Sequence, residues 1–393
     1  MKQATIIDVY SRGHYHEVIN VAYLMMIASL YDRVTYIAAD SACLTLRQML
    51  ASLSFDVSNI TFHEKAFSEA EVKKVSANKF GERLKYSWLK YYYYMQQPAG
   101  TDVFYNNNLF LAITLLTWFS WGKKNRIFSL MHSEMEVINP AEAKRFSKKV
   151  SAWYFGQVFR HSRLPERFCF ILLSDVMKQY FLRFTSPKNA ARIQSIDHAY
   201  IRPDNPRRGT LSLPVSIRQQ GVKIGLPSIL NLDHGLDFFR QILETTSLSV
   251  VIFYAISLVS EPLHAENFVN LNRDGRLMAY DTYNAYLSCM DLLLFPYASN
   301  SYKLTASGAF LEAIWNGIPV IALHNQYFDS LFARFGEMGF LFDDKESLIT
   351  FLSGIDTTQP TFQQKISTFR KNMATAKAAL HPDQVRLQLA NLL

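Results

Sequence analysis

Short apolar runs rich in Val, Ile, Leu and Phe alternate with longer stretches of helical apolar spacing from one end of the chain to the other. An apolar run of about four to eight residues reads as a strand covered on both faces, and its alternation with helices reads as a parallel α/β sheet. In the first half the predicted strands are residues 5–10, 34–39, 57–63, 102–106, 126–132 and 168–174, with helices including 17–30, 67–95 and 141–159 between them. A proline-bearing stretch, residues 200–220, breaks the pattern and reads as a linker. Strands then restart at 222–226, 248–256, 268–271, 292–296, 319–323 and 339–342, and a helical, amphipathic tail over 361–393 ends the chain. The expectation is α/β: two Rossmann-like, doubly wound domains, residues 1–199 and 221–393, facing a central cleft. The helical tail packs back on the first domain. Ligands of such sheets bind outside the carboxyl ends of the strands.

Composition sharpens this. At 393 residues the chain is too long for one ordinary core, and 49% hydrophobic with 19% charged residues suits a folded globular protein. Cys43, Cys169 and Cys289 have no paired or metal-ligand spacing, which fits a reducing compartment. Residues 1–13 lack the apolar core of a signal peptide, and the apolar stretch 109–121 is too short to span a bilayer. A cytoplasmic protein is expected, with peripheral attachment to the inner face of the membrane as an option. Residues 1–197 carry 25 Lys and Arg against 16 Asp and Glu, a net of +9, whereas the remainder is near neutral. The excess concentrates in residues 73–167, with 16 basic and 6 acidic residues. Within it, residues 73–95 combine six cations with Trp88 and four consecutive tyrosines, Tyr91 to Tyr94. That mixture suits an anionic membrane interface, and equally a helix with aromatics in the core and lysines in solvent.

The stretch 291–323, DLLLFPYASNSYKLTASGAFLEAIWNGIPVIAL, carries the chemistry. A buried strand ends at Pro296, a polar loop leads to Ser307 and Gly308, and a helix then stops at Gly317 before Pro319 opens the next strand. A helix N-terminus offers unpaired N–H groups and partial positive charge, so it suits a diphosphate. Gly308 lets a ligand approach the backbone closely. Glu312, one turn further in, places a carboxylate suited to both hydroxyls of a ribose diol. The same residues would also serve as an ordinary helix cap and a surface carboxylate.

This stretch resembles family 4 glycosyltransferases, retaining enzymes of the two-domain GT-B fold. The likeness rests on Phe295-Pro296-Tyr297 and on the run from Glu312-Ala313 to Gly317-Ile318-Pro319-Val320. More weakly, Gly13 and His14 resemble the family's glycine loop after the first strand. His132 sits where the family places an active-site histidine near the reacting sugar. Ser174 resembles the serine that closes the first domain, and His198 lies in a turn like the one opening the second. Leu304 replaces the first of the family's two glutamates. Pro227 and His234 stand near the positions of its diphosphate-clamping arginine and lysine, and Lys303 offers a substitute charge.

The resemblance implies transfer of a sugar from a nucleoside-diphosphate sugar to an acceptor hydroxyl, in cell-surface polysaccharide or glycan assembly. The acceptor could be lipid-linked. His132 and Glu312 are the catalytic candidates. Ser307, Gly308, Glu312, Lys303 and His234 are donor-binding, and Gly13 and His14 acceptor-side. No cofactor and no metal are expected. A sugar-nucleotide epimerase or hydrolase on the same fold is the alternative. A basic-surface nucleic-acid-binding protein is another, although no nucleic-acid motif appears and nucleic acid is not the expected partner.

Overall fold

The computed structural model describes the chain apart from residues 14–15, 66–79, 107–110, 121, 132–137, 139–145, 204–220, 232–234, 247–249, 274–277, 279 and 299–302. Its residues group into two compact units. One comprises Met1–Pro203, Lys303–Ala306 and Leu380–Leu393, the other Asp204–Tyr302 and Ser307–Ala379. The expected linker, residues 200–220, lies outside the described residues from 204 onward.

The first unit holds seven strands: β1 (Gln3–Asp8), β2 (Arg33–Ala39), β3 (Ile60–Lys65), β4 (Asp102–Tyr105), β5 (Ile127–Leu130), β6 (Phe168–Leu172) and β7 (Ile193–Ser195). Their order is 3-2-1-4-5-6-7 and every pairing is parallel. Helices covering both faces bury every residue of β4 and β5, which explains their unbroken apolar sequences. On the edge strand β3 the inward positions alternate with exposed ones, and Glu64 pairs with Arg47.

The second unit holds β8 (Val222–Leu226), β9 (Val251–Ala255), β10 (Phe268–Asn270), β11 (Leu292–Phe295), β12 (Val320–Leu323) and β13 (Gly339–Phe342). Their order is 10-9-8-11-12-13, again all parallel. These are the two doubly wound, Rossmann-like sheets the alternation predicts. In each the winding reverses beside the first strand, between β1 and β4 and between β8 and β11. That reversal leaves a crevice at the strands' carboxyl ends.

The tail is helical over 361–393, as expected, but in two pieces. It forms helices Pro360–Ala379 and Pro382–Ala390, with His381 extended between them. Pro382 lacks the N–H that a continuous helix needs and forces the preceding residue out of helical conformation. The last helix belongs to the first unit, and three attachments hold it. Tyr200 N–H donates to the Leu380 carbonyl at 3.0 Å. Asp197 and Gln388 exchange bonds of 2.8 and 2.6 Å. The Arg126 guanidinium donates to the Leu393 carbonyl while gripping the Asp102 carboxylate at 2.9 and 2.5 Å.

His198 lies in the segment that leads to this junction, 3% exposed, its Nδ1–H donating to the Ala199 carbonyl at 3.0 Å. Burial disfavours the imidazolium and pulls its pKa down from 6.5 to about 4. Below pH 6.5 the unfolded chain binds a proton that the fold refuses, so stability falls as the pH drops from 6.5 towards 4. A shift of this size corresponds to about 3 kcal/mol across that window. Denaturant titrations at a series of pH values are expected to show the loss in the wild type, reduced by that amount in His198→Gln. Parallel pH profiles for the two proteins would refute it.

Candidate functional site

In the second unit the reversal between β8 and β11 brings two helix N-termini to the carboxyl ends of neighbouring strands. After β8 the chain passes Pro227, whose carbonyl accepts from the Tyr283 hydroxyl at 2.9 Å. It then reaches Gly235, the N-cap of helix Leu236–Thr245. Gly235 has φ +81°, a conformation that favours glycine, and a side chain there would meet the Pro296 carbonyl oxygen at 1.7 Å. The loop after β8 is therefore seated against Pro296, the residue that follows β11. Tyr297 follows, buried, with its ring 5.8 Å from that of Phe295.

Helix Gly308–Asn316 begins after the next loop. Phe310, Leu311, Ala313 and Ile314 are buried on its inner face, with Phe310 stacked on Phe328 at 4.6 Å and edge-on to Phe295 at 6.1 Å. Burying each of these larger side chains contributes roughly 1.5–3 kcal/mol. Gly317, at φ +65°, ends the helix in the left-handed conformation, and Ile318 N–H returns to the Ala313 carbonyl at 3.1 Å. These contacts fix the helix start at the carboxyl side of the sheet.

At that start Ser307 is 2% exposed and its hydroxyl accepts from Phe310 N–H at 3.2 Å, so its side chain acts as the cap of its own helix. Gly308 and Ala309 N–H have no partner within the helix. Among the described residues, leaving aside the helix's own backbone and the adjoining residues, no atom lies within 4 Å of a Cβ built on Gly308, which leaves open space beside those donors. Glu312 is half-buried one turn on, its carbonyl accepting from Asn316 Nδ2 at 2.8 Å. The terminus thus offers N–H donors and open volume within the second unit, with Glu312 one turn further along.

The remaining candidates are placed differently. Lys303 and Leu304 are counted with the first unit, Lys303 Nζ lying 5.5 Å over the Tyr180 ring and Leu304 fully buried. His234, His132 and His14 lie outside the described residues. Gly13 sits in the loop after β1 at φ +49°, its N–H donating to Ser41 Oγ at 3.1 Å, and among the described residues nothing lies within 4 Å of where a side chain would start. Beneath that loop Asp8 is fully buried, accepting from Asn20 at 2.8 Å, the Tyr36 hydroxyl at 2.9 Å and Ser11 N–H at 3.2 Å. Burial, with Asp8 beside it, pushes the Tyr36 phenol well above its ordinary pKa, so it stays a donor. Ser174 caps helix Asp175–Leu182 through a 3.2 Å bond from Met177 N–H.

Two features escaped sequence reading. Gly235 was visible only as a glycine ahead of a helical pattern, and its contact with Pro296 is made across the sheet. At the end of β12, His324 Nδ1 lies 2.6 Å from Asp329, and Asn325 caps the following helix with bonds of 3.1 and 2.9 Å. A histidine and asparagine closing an apolar run were the available signal.

No family model matches the chain, and no curated protein sequence matches it. Solved structures do. One is WaaG, a glycosyltransferase involved in lipopolysaccharide biosynthesis, at 15% identity and TM-score 0.56, covering 99% of this chain and 98% of that one. A second is the trehalose-6-phosphate phosphatase N-terminal domain of Candida albicans, at 11% identity and TM-score 0.59, covering 98% and 96%. A third is Arabidopsis thaliana UGT89C1 complexed with UDP-L-rhamnose, at 13% identity and TM-score 0.51, covering 99% and 98%. At such identities the likeness is one of fold, and one fold hosts several reactions. With its two parallel, doubly wound sheets, the chain has the two-domain GT-B fold.

Proposed function

We propose that the protein is a glycosyltransferase of the family 4 kind, moving a sugar from a nucleoside-diphosphate sugar to a glycan hydroxyl. The observation that carries this reading is the start of helix Gly308–Asn316, where Gly308 opens space over unpaired N–H donors at the β8–β11 reversal. A diphosphate seated there is stabilised by oriented dipoles before and after the glycosidic bond breaks. Catalysis of this kind is chiefly positioning and electrostatics. Glu312 takes the ribose hydroxyls, and the helix terminus rather than a divalent ion balances the leaving charge. The reaction retains anomeric configuration, as the resemblance to family 4 implies. Solved structures of the same fold include one named as a lipopolysaccharide glycosyltransferase and one holding UDP-L-rhamnose, which supports the reading.

The test is calorimetric titration with UDP, GDP, CMP and ADP and their sugar conjugates, in the presence of EDTA. One nucleoside diphosphate is expected to bind, and Glu312→Ala to weaken it by about tenfold through loss of a charged hydrogen bond, with the circular dichroism spectrum unchanged. Equal affinity in Glu312→Ala removes that residue from the site. Binding that appears only when Mg²⁺ or Mn²⁺ replaces EDTA removes the metal-independent step. Turnover of the bound sugar nucleotide without any acceptor would identify an epimerase or hydrolase instead.

A further inference from the structure

The first unit leaves a set of large aromatic side chains in solvent. Helix Phe80–Met95 turns Ser87, Lys90, Tyr93 and Tyr94 inward and exposes Leu84, Trp88 and Tyr92, which recur every four residues along one face. The Tyr91 hydroxyl donates to the Phe119 carbonyl at 3.0 Å, and the Trp88 ring lies 5.5 Å from that of Tyr91. The end of helix Ala112–Trp118 therefore adjoins this face, presenting Trp118 and Phe119. The Thr114 hydroxyl meets that of Tyr154 at 2.7 Å, so helix Phe146–Gly156, which carries the exposed Trp153, lies beside helix Ala112–Trp118. Leu84, Trp88, Tyr92, Trp118, Phe119 and Trp153 are between 44 and 64% exposed. They include three of the chain's five tryptophans.

Charge selects the partner. Lys85, Lys124, Lys149 and Arg160 are exposed on the same elements or the loops that join them. From Leu84 to Arg163 the one carboxylate among the described residues is Asp102, buried against Arg126. An exposed aromatic cluster of this kind marks an interaction surface. Indole rings favour the headgroup layer of a bilayer, and clustered cations favour its anionic leaflet. No described helix is long and apolar enough to cross a membrane. We propose that this face docks the protein on an anionic membrane surface, the three indoles among the headgroups and the lysines against lipid phosphates. The contact needs neither nucleotide nor sugar and is independent of the donor site.

The experiment is co-sedimentation of the full chain with vesicles of phosphatidylcholine alone and of phosphatidylcholine mixed with phosphatidylglycerol. Binding is expected to the mixed vesicles only, to fall with added salt, and to shift tryptophan emission to the blue. Replacing Lys85, Lys124 and Lys149 together by glutamine should cut partitioning by about a hundredfold, at about fivefold per charge. The combined Trp88→Ser, Trp118→Ser and Trp153→Ser variant should lose binding while keeping the wild-type melting temperature. Should that variant melt lower, quenching of the wild-type indoles by brominated lipid gives the same answer. Equal binding to both vesicles, binding that survives the tryptophan replacements, or no binding at all would overturn the proposal. So would a wild-type dimer that the tryptophan variant dissolves and that vesicles do not capture, since the face would then join two copies.

Discussion

Gly308→Val is expected to leave the fold intact and to weaken nucleoside-diphosphate binding by about a hundredfold, with Gly308→Ala about tenfold weaker. The added Cβ enters open space, since among the described residues no atom outside the helix's own backbone and the adjoining residues lies within 4 Å of it. At the first turn of a helix a residue other than glycine also loses less chain entropy on folding, which favours the variant's stability. What the methyl groups do obstruct is the approach of an anion to the N–H groups at the helix start. Charge-assisted hydrogen bonds of this kind contribute about 1.5–3 kcal/mol each, which sets the expected loss. Ser307→Ala supplies the contrast. Its hydroxyl oxygen accepts from Phe310 N–H, so its loss should lower stability by about 1 kcal/mol, an effect Gly308→Val should not show. Calorimetry and thermal melts on the three variants separate the two effects. Wild-type affinity in Gly308→Val would mean that the anion does not sit at this terminus.

The reason Gly308 was legible in the sequence is local. A buried strand ending at Pro296, a helix of apolar face from Phe310 to Ile314, a left-handed stop at Gly317 and a proline before β12 are all features of consecutive residues, and each constrains the next. The same holds for most strands, because a strand buried on both faces must be apolar throughout. β7 went unread because only Ile193 of its three residues is buried, and its extended form comes from pairing with β6 at Phe170 to Leu172. The path of the loop before Ser307 was hidden for a similar reason. Lys303 and Leu304 pack within the first unit, against residues more than a hundred positions earlier such as Tyr180, and no local pattern encodes that choice. The exposed tryptophans were only half legible. Trp88 stood out beside lysines, but periodicity alone does not say which face of an aromatic helix is turned outward.

Gly235→Ala tests the other half of the site and is expected to destabilise the protein by more than about 3 kcal/mol. Two costs add at this position. The residue holds φ +81°, where a Cβ crowds its own backbone, at about 1–2 kcal/mol. The Cβ would also fall 1.7 Å from the Pro296 carbonyl oxygen, and that oxygen belongs to the backbone ending a buried strand rather than to a side chain able to swing aside. Relief requires the loop after β8 to lift from β11, which moves the start of helix Leu236–Thr245 and spoils the crevice at the reversal. Gly317→Ala isolates the first cost, because Gly317 is left-handed at φ +65° yet, among the described residues, nothing lies within 4 Å of its Cβ position. It should cost about 1 kcal/mol, and the excess in Gly235→Ala measures the contact with Pro296. Denaturant unfolding of both variants reads the difference. Equal losses would mean that the backbone strain alone accounts for Gly235, and that β8 and β11 reach their positions without the close approach of this loop.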